Sequence, residues 1–452
     1  MRMRVRPRLI NRDFTLLWAG QLVSQLGDFV FSTTLSLWVG TVLLAGRSYA
    51  PAAVSALLAV VAVGTLLAGP VAGVFVDRWD HRRTMLGADL VRAALIGALT
   101  LVAFLPAGTL SPTALLVLVY GTVLLATCAA QFFNPARFAL LGDVVEPRER
   151  GRAAGIGQAT QAIATIAGPP LAAPLLLAAG IRWALLLNAV SFVASFAAVR
   201  AVRTGSAGRA KAVLPQVPGS GLRGVREEFT EGLRLVRGSR VVTALIVTIC
   251  LVTIGTSALN SLNVFFVTEN LGAASRWFGT LEMALGCGLV LGAMGAGRLG
   301  SRYGFARVFS LGLVLTGLGL VLYARTTSLP PALAVLAVVG LPVAAVNTAL
   351  TPVLLKAVPQ SHLGRVVAVI GPAQQIAALT GVAVSGWLAS SVLQGLDLTV
   401  AGLHFGRIDS VFTASGLIVV AGGLYATTAL RGSDGAEEAD GHAETSAAAE
   451  DR

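Results

Sequence analysis

Long apolar runs separated by short polar, mostly basic gaps make up nearly the whole chain. A helix needs about 20 mostly apolar residues to cross a bilayer. Counting on that basis gives six spans in the first half: Phe14 to Val39, Ala53 to Val76, Thr84 to Leu105, Pro112 to Phe133, Ile156 to Leu177 and Ala184 to Val199. Six follow in the second: Val241 to Val267, Phe278 to Arg298, Val308 to Tyr323, Ala332 to Leu355, Val366 to Leu388 and Val411 to Leu430. The runs ending near Phe133 and Leu355 are expected to continue further as helix. These elements predict an all-α integral membrane protein with twelve transmembrane helices.

The gaps repeat. Gly73-x3-Asp77-Arg78-x4-Arg83 follows span 2, and Gly297-x3-Ser301-Arg302-x-Gly304-x2-Arg307 follows span 8 with the same spacing, 224 positions later. Each reads as a tight turn in which glycine ends one helix and charges pair with neighbouring helix ends. In span 5, Gly151-Arg152, Gln161, Ile163-Ala164 and Gly168 match Gly364-Arg365, Gln374, Ile376-Ala377 and Gly381 of span 11 at one constant offset of 213. Matches at one offset, in segments of the same ordinal place, predict two pseudo-symmetric six-helix bundles, an arrangement typical of transporters that rock two bundles about a central site.

The predicted domains are residues 1–199, a first bundle; 200–240, a Gly-, Pro- and Arg-rich linker; 241–430, a second bundle; and 431–452, a tail too polar to order. Within the linker, Leu222, Val225, Phe229, Leu233 and Val236 recur at steps of three and four. That spacing predicts an amphipathic helix, either lying along the inner membrane surface or packed on the cytoplasmic ends of the bundle.

Composition agrees with the pattern. With 55% hydrophobic and 12% charged residues, the chain cannot cover a water-exposed surface with polar groups. The formal charge of +12 reflects Lys and Arg in the gaps rather than a nucleic-acid surface. Of the 34 basic residues, only Arg47, Arg92, Arg182, Arg276, Arg325 and Arg407 fall outside the segments that become cytoplasmic when the N-terminus is inside. The positive-inside rule then places both termini in the cytoplasm of a multi-pass cell-membrane protein. The first apolar run is too long for a signal-peptide core and is read as a retained span. Cys128, Cys250 and Cys287 lie in apolar runs at no metal or redox spacing, and His81, His362, His404 and His442 are scattered, so no metal centre is predicted. No phosphate-binding Gly-x4-Gly-Lys-Ser/Thr run occurs, which argues against direct ATP drive. No enzyme activity and no cofactor are expected.

Asp28 is the sharpest single residue. It lies 14 residues beyond Phe14, about 21 Å along a helix, and an ionisable group at that depth is a functional candidate by default. Gln21 and Gln25 share its face. The expected role is proton uptake or contact with a cationic substrate. Glu282 in span 8 is the second acidic candidate, and Gln131, Asn134, Gln158, Gln161, Asn260, Asn263, Asn347, Gln374 and Gln375 are amides that line a cavity or bond helix to helix. Asp89 and Arg92, an i, i+3 pair, are placed near the inner end of span 3 as gate structure, paired with each other or with the Arg78 loop.

The Gly73–Asp77–Arg78–Arg83 loop, its weaker copy and the twelve spans resemble the major facilitator superfamily. The family's loop signature has glycine and arginine at its eighth and ninth positions, where this chain has Asp80 and His81. The resemblance implies an inner gate built from Gly73, Asp77, Arg78, Arg82, Arg83, Asp89 and Arg92, with a weaker second gate at Gly297, Arg302 and Arg307. Asp77 is expected to matter more than Ser301, its counterpart. Gly155, Ala164, Gly168-Pro169 and Ala172-Ala173 are similar to the superfamily's exporter-associated helix-packing signature, with alanine for three glycines. Asn11-Arg12-Asp13-Phe14, Gly20-Gln21-x2-Ser24-x2-Gly27-Asp28, Phe133-Asn134-Pro135-Ala136-Arg137 and Leu187-Asn188-Ala189-Val190-Ser191-Phe192 are similar to the macrolide-efflux and enterobactin-exporter branch. This implies a monomeric secondary transporter that exports a drug, macrolide or siderophore-like molecule by proton antiport. A metabolite importer of the same fold, or a non-transporting receptor or scaffold, are the rival readings.

Overall fold

The computed structural model describes residues 9–76, 78–106, 108–203, 222–358, 363–400 and 403–450, with side chains in all of these except 74, 222–229, 363–364, 400, 403–404 and 431–450. Among the described residues, twelve helices are long and apolar enough to cross a membrane. The first six are α1 (Arg12–Leu37), α2 (Ala50–Val76), α3 (His81–Ala103), α4 (Pro112–Val144), α5 (Arg150–Ala179) and α6 (Ile181–Ala201). A thirteenth, non-spanning helix, α7 (Leu222–Gly238), precedes α8 (Arg240–Phe265), α9 (Phe278–Tyr303), α10 (Phe305–Ala324), α11 (Leu329–Ala357), α12 (Leu363–Trp387) and α13 (Arg407–Glu450). The membrane span of α13 is Arg407–Leu430; the side chains of 431–450, most of the tail expected to be unordered, lie outside the described residues.

Helix starts follow local chemistry. Asn11 Oδ1 accepts from the Phe14 amide at 2.7 Å and Ser111 Oγ from that of Ala114 at 3.2 Å, satisfying amides that the helix leaves unpaired. Gly180, with φ +82, turns the chain between α5 and α6. The extensions expected beyond Phe133 and Leu355 are present, since α4 runs to Val144 and α11 to Ala357.

The first bundle packs α1 on α6, α3 on α6, α3 on α4, α2 on α4 and α1 on α5; the second repeats this as α8 on α13, α10 on α13, α10 on α11, α9 on α11 and α8 on α12. The sequence repeat falls on equivalent joints. Gly168 of α5 meets Phe29 of α1, and its match Gly381 of α12 meets the Ile254 backbone of α8. A Cβ at Gly381 would stand 2.6 Å from the Ile254 carbonyl oxygen, so glycine sets the approach of the two helices. Two compact units result, Met1–Val225 with Val267–Met283, and Arg226–Phe266 with Ala284–Arg452.

Within the second unit, Gly232 of α7 abuts the Arg365 carbonyl of α12, Glu231 Oε2 pairs with Arg365 Nε at 2.9 Å, and Val236 packs with Val242, Val358, Val366 and Val369. The amphipathic helix is thus packed on its bundle. Leu398–Val400 and Leu403–Phe405 form a small antiparallel strand pair before α13, the only strands among the described residues and absent from the sequence reading.

The outer surface suits lipid. Leu311, Leu315, Leu318 and Leu322, at 58%, 57%, 52% and 58% exposure, form one stripe of α10 that water would penalise and acyl chains would not. At one end of the first bundle Trp79 stacks on Phe132 at 6.0 Å, and at the other Phe104 meets Trp183 at 6.2 Å. Aromatic side chains at both ends match the two interfaces of a bilayer.

Candidate functional site

The first bundle holds a charged cluster at mid-span. Asp28 falls halfway along its span, Arg12–Leu43. Close contact with α6 places it there: at Gly27 a Cβ would sit 2.5 Å from Ser191 Oγ and 2.9 Å from Asn188 Oδ1, and at Gly20 it would sit 2.8 Å from Ala198 Cβ. With Gly20, Ser24 and Gly27 against α6, the polar face of Gln21, Gln25 and Asp28 is turned beside that joint. Asn188 of α6 and the charges of Arg92 and Asp89 act on the Asp28 carboxylate. Ser191 Oγ donates to the Asn188 backbone carbonyl at 2.8 Å and lies 3.2 Å from Asn188 Oδ1.

Asp89 and Arg92 are fixed from several sides. Arg92 Nη2 donates to Asp89 Oδ1 at 2.5 Å, and Ser195 Oγ of α6 donates to Asp89 Oδ2 at 2.7 Å. The Arg92 guanidinium lies 4.5 Å from the Phe133 ring centre and 4.3 Å from that of Phe192, a cation between two aromatic faces. Asp89 is 0% exposed and Arg92 5%. The placement near the inner end of span 3 is therefore corrected: both are buried in the middle of α3, joined to α1 and α6 instead of to the Arg78 loop. One carboxylate is thus paired with the guanidinium, and a second, Asp28, lies within its field.

A second polar group lies two turns away. Arg137 of α4, half-buried, donates from Nη1 to Gln21 Oε1 at 3.4 Å and sits 4.8 Å from the Phe138 ring centre. Gln25 Oε1 is buried without a hydrogen-bond partner. Gln131 Nε2 reaches Thr65 Oγ1 of α2 at 3.4 Å, so it bridges helices. Asn134, Gln158, Gln161, Asn260 and Gln374 are exposed on their helices, and Glu282 is half-buried near the start of α9.

Asn263 is corrected from a cavity amide to a packing one. It is 1% exposed and accepts from the Tyr323 hydroxyl at 2.6 Å beneath the Phe266, Tyr323 and Phe412 rings. The second bundle also holds a pair that sequence reasoning missed: Arg325 Nη2 lies 3.3 Å from Asp409 Oδ2 and donates to Thr413 Oγ1 at 2.7 Å, tying the end of α10 to α13. An acidic residue in the first turn of the last span was its only signal.

At the loops, Gly73 and Gly297 do not end their helices, which run on to Val76 and Tyr303. The turns come at the eighth signature position. Gly304 adopts φ +87, a conformation that favours glycine. Its counterpart Asp80 instead stays extended and caps α3, its carboxylate accepting from the Arg83 amide at 2.7 Å. His81 Nδ1, at the ninth position, lies 3.6 Å from Asp143 Oδ2 of α4. Arg82 donates to the Val199 carbonyl at 3.2 Å and to that of Arg200, binding the C-terminal end of α6, where a cation is favoured. Arg78, Arg83, Arg302 and Arg307 are exposed, Arg302 lies 5.4 Å from the Tyr303 ring centre, and Ser301 bonds only its own helix at the Arg298 carbonyl, 3.0 Å away. Asp77 lies outside the described residues. Of the packing signature, Gly168, Pro169, Ala164, Ala172 and Ala173 are buried, while Gly155 faces open space.

Comparison with known proteins gives the same architecture. Macrolide efflux protein A of Streptococcus pyogenes is 24% identical over 393 residues, covering 84% of this chain and 90% of its own length. Macrolide efflux protein A of Enterococcus faecalis is 26% identical over 261 residues, 56% of this chain and 76% of its own. Among solved structures, an inward-facing bacterial homologue of the iron transporter ferroportin superposes with a TM-score of 0.71 at 15% identity, covering 93% of this chain and 99% of its own. The nucleoside transporter NupG does so with 0.68 at 12%, covering 93% and 100%. At these identities the structures establish the fold alone. The family model of the Major Facilitator Superfamily matches residues 17–295 and 245–449, and with twelve spans in two matching bundles the chain belongs to that superfamily of membrane transporters.

Proposed function

We propose that this chain is a secondary active exporter of a moderately hydrophobic organic compound, a drug, macrolide or siderophore-like molecule, driven by proton antiport with alternating access. In this reading it works as a monomer in the cell membrane with both termini in the cytoplasm. The supporting observation is the excess of carboxylate at mid-span: Arg92 is committed to Asp89, which leaves Asp28 as the second anion beside one cation. An anion in that setting is costly unless a proton or a cationic cargo neutralises it. Alternate occupancy of one carboxylate by proton and cargo is the exclusion that antiport requires. A proton entering down about 100 mV contributes roughly 2.3 kcal/mol before any pH term. The macrolide efflux relatives favour outward movement and this class of cargo.

The test is Asp28→Asn in proteoliposomes loaded with a macrolide under an imposed pH gradient. Gradient-driven movement should vanish, and exchange of labelled for unlabelled macrolide should weaken with it, because the cationic end of the cargo loses its anion. Unchanged gradient-driven movement would remove Asp28 from the coupling role.

A further inference from the structure

Arg137 is the feature of the first bundle that coupling does not use. It is held half inside the protein by α4, and among the described residues no carboxylate pairs with it. Its only hydrogen bond there is the long one to Gln21 Oε1, 3.4 Å. A guanidinium carries five N–H donors in a fixed fork, so most of its donor capacity is unspent. Leaving such a cation half-buried without an anion is unfavourable, and a purely packing role would be met by an apolar side chain of similar size.

Its surroundings point to a ligand. Gln21 is its hydrogen-bond partner, and Gln25, one turn further along α1, has a carboxamide with no hydrogen-bond partner among the described residues: its Nε2 is free to donate, while its buried Oε1 would take a donor. Asp28 ends the same stripe. Seven residues separate Gln21 from Asp28, about 10 Å along a helix at 1.5 Å per residue. One face of α1 therefore offers an anion at one end and a cationic fork with amide donors at the other.

We propose that Arg137, with Gln21 and Gln25, is a subsite for acceptor oxygens of the exported compound, so that the cargo is an amphiphile with a protonated amine at Asp28 and a carbonyl or carboxylate oxygen about 10 Å away. This rests on the export reading and specifies its cargo. Arg137 sets affinity for one end of the molecule; Asp28 exchanges the other end for a proton. Loss of the fork weakens binding without touching the proton step.

The experiment uses the full-length protein in proteoliposomes with two probes: a macrolide, which offers a tertiary amine and carbonyl oxygens, and norfloxacin, which offers an amine and a carboxylate. KM and kcat are measured for the wild type, Arg137→Gln and Arg137→Lys, with thermal unfolding in detergent as a control for folding. For any probe that the wild type exports, Arg137→Gln should raise KM at least tenfold with kcat within twofold, and Arg137→Lys should recover part of the loss. A larger effect on norfloxacin assigns the site to carboxylates, and a larger effect on the macrolide assigns it to carbonyls. If Arg137→Gln leaves KM unchanged, or lowers kcat and stability instead, the subsite is refuted while export stands. If the wild type exports neither probe, the export reading falls and takes this inference with it.

Discussion

Removing both carboxylates from the mid-span cluster should cost more than removing each in turn. In the folded protein Arg92 is ion-paired with Asp89 at 2.5 Å and lies within the field of Asp28. Charge centres about 4 Å apart attract by about 4 kcal/mol at an effective dielectric of 20, and breaking a buried pair from one side costs about 3–5 kcal/mol. Asp28→Asn leaves the Asp89–Arg92 pair intact and should change stability by less than about 1 kcal/mol, because it deletes a carboxylate whose cation is already committed. Asp89→Asn leaves Arg92 with Asp28 as a substitute anion, so its cost should fall to about 1–2 kcal/mol, below the full penalty. The double variant leaves the guanidinium between two rings with no anion and should reach the full about 3–5 kcal/mol. A coupling energy of about 1–3 kcal/mol is therefore expected in a double-mutant cycle, read from reversible unfolding in mixed micelles at fixed pH. Additive single effects would show that Asp28 and Asp89 do not share Arg92, and the surplus-carboxylate argument would fail with them.

Four further outcomes follow from the same geometry. Asp28→Asn should abolish gradient-driven macrolide movement and weaken exchange, read by flux in proteoliposomes. Arg137→Gln should raise the KM of an exported macrolide or of norfloxacin at least tenfold, with partial recovery in Arg137→Lys. Asp80→Ala should lower stability by about 0.5–2 kcal/mol through loss of a helix cap, and Asp80→Asn should restore most of it, both measured by thermal unfolding. Arg82→Gln, which releases the end of α6, should lower turnover by more than Arg302→Gln, whose side chain meets Tyr303 of its own helix; equal turnover would count against Arg82 as the connecting residue.

The spans were readable because a bilayer imposes one rule, a minimum apolar length, on every segment. Offsets of 213 and 224 were likewise enough to pair the halves, and Gly168 and Gly381 occupy equivalent joints. Depth along one helix could also be counted, which placed Asp28 correctly within its span. What apolar periodicity omits is the neighbour. Asp89 and Arg92 are separated by i, i+3 in any helix, but their burial depends on α6 supplying Ser195 and Phe192 and α4 supplying Phe133. Asn263 and Asn260 look alike in sequence, yet one meets a tyrosine hydroxyl and the other a helix surface. The loop signature misled in a different way, since helices extend through Gly73 and Gly297 and the change of direction is made by Asp80 through its side chain and by Gly304 through its backbone.

The two bundles share a packing scheme but not an electrical character. At the offset that aligns the loops, Asp89 and Arg92 correspond to Leu313 and Thr316, and α8 to α13 carry charged residues only toward the ends of their spans. A voltage across the membrane exerts force on charge within the low-dielectric layer. That force falls on the first bundle, while the second is electrically silent at the same depth. Charge that responds to the membrane voltage should therefore be an attribute of one half of a duplicated machine.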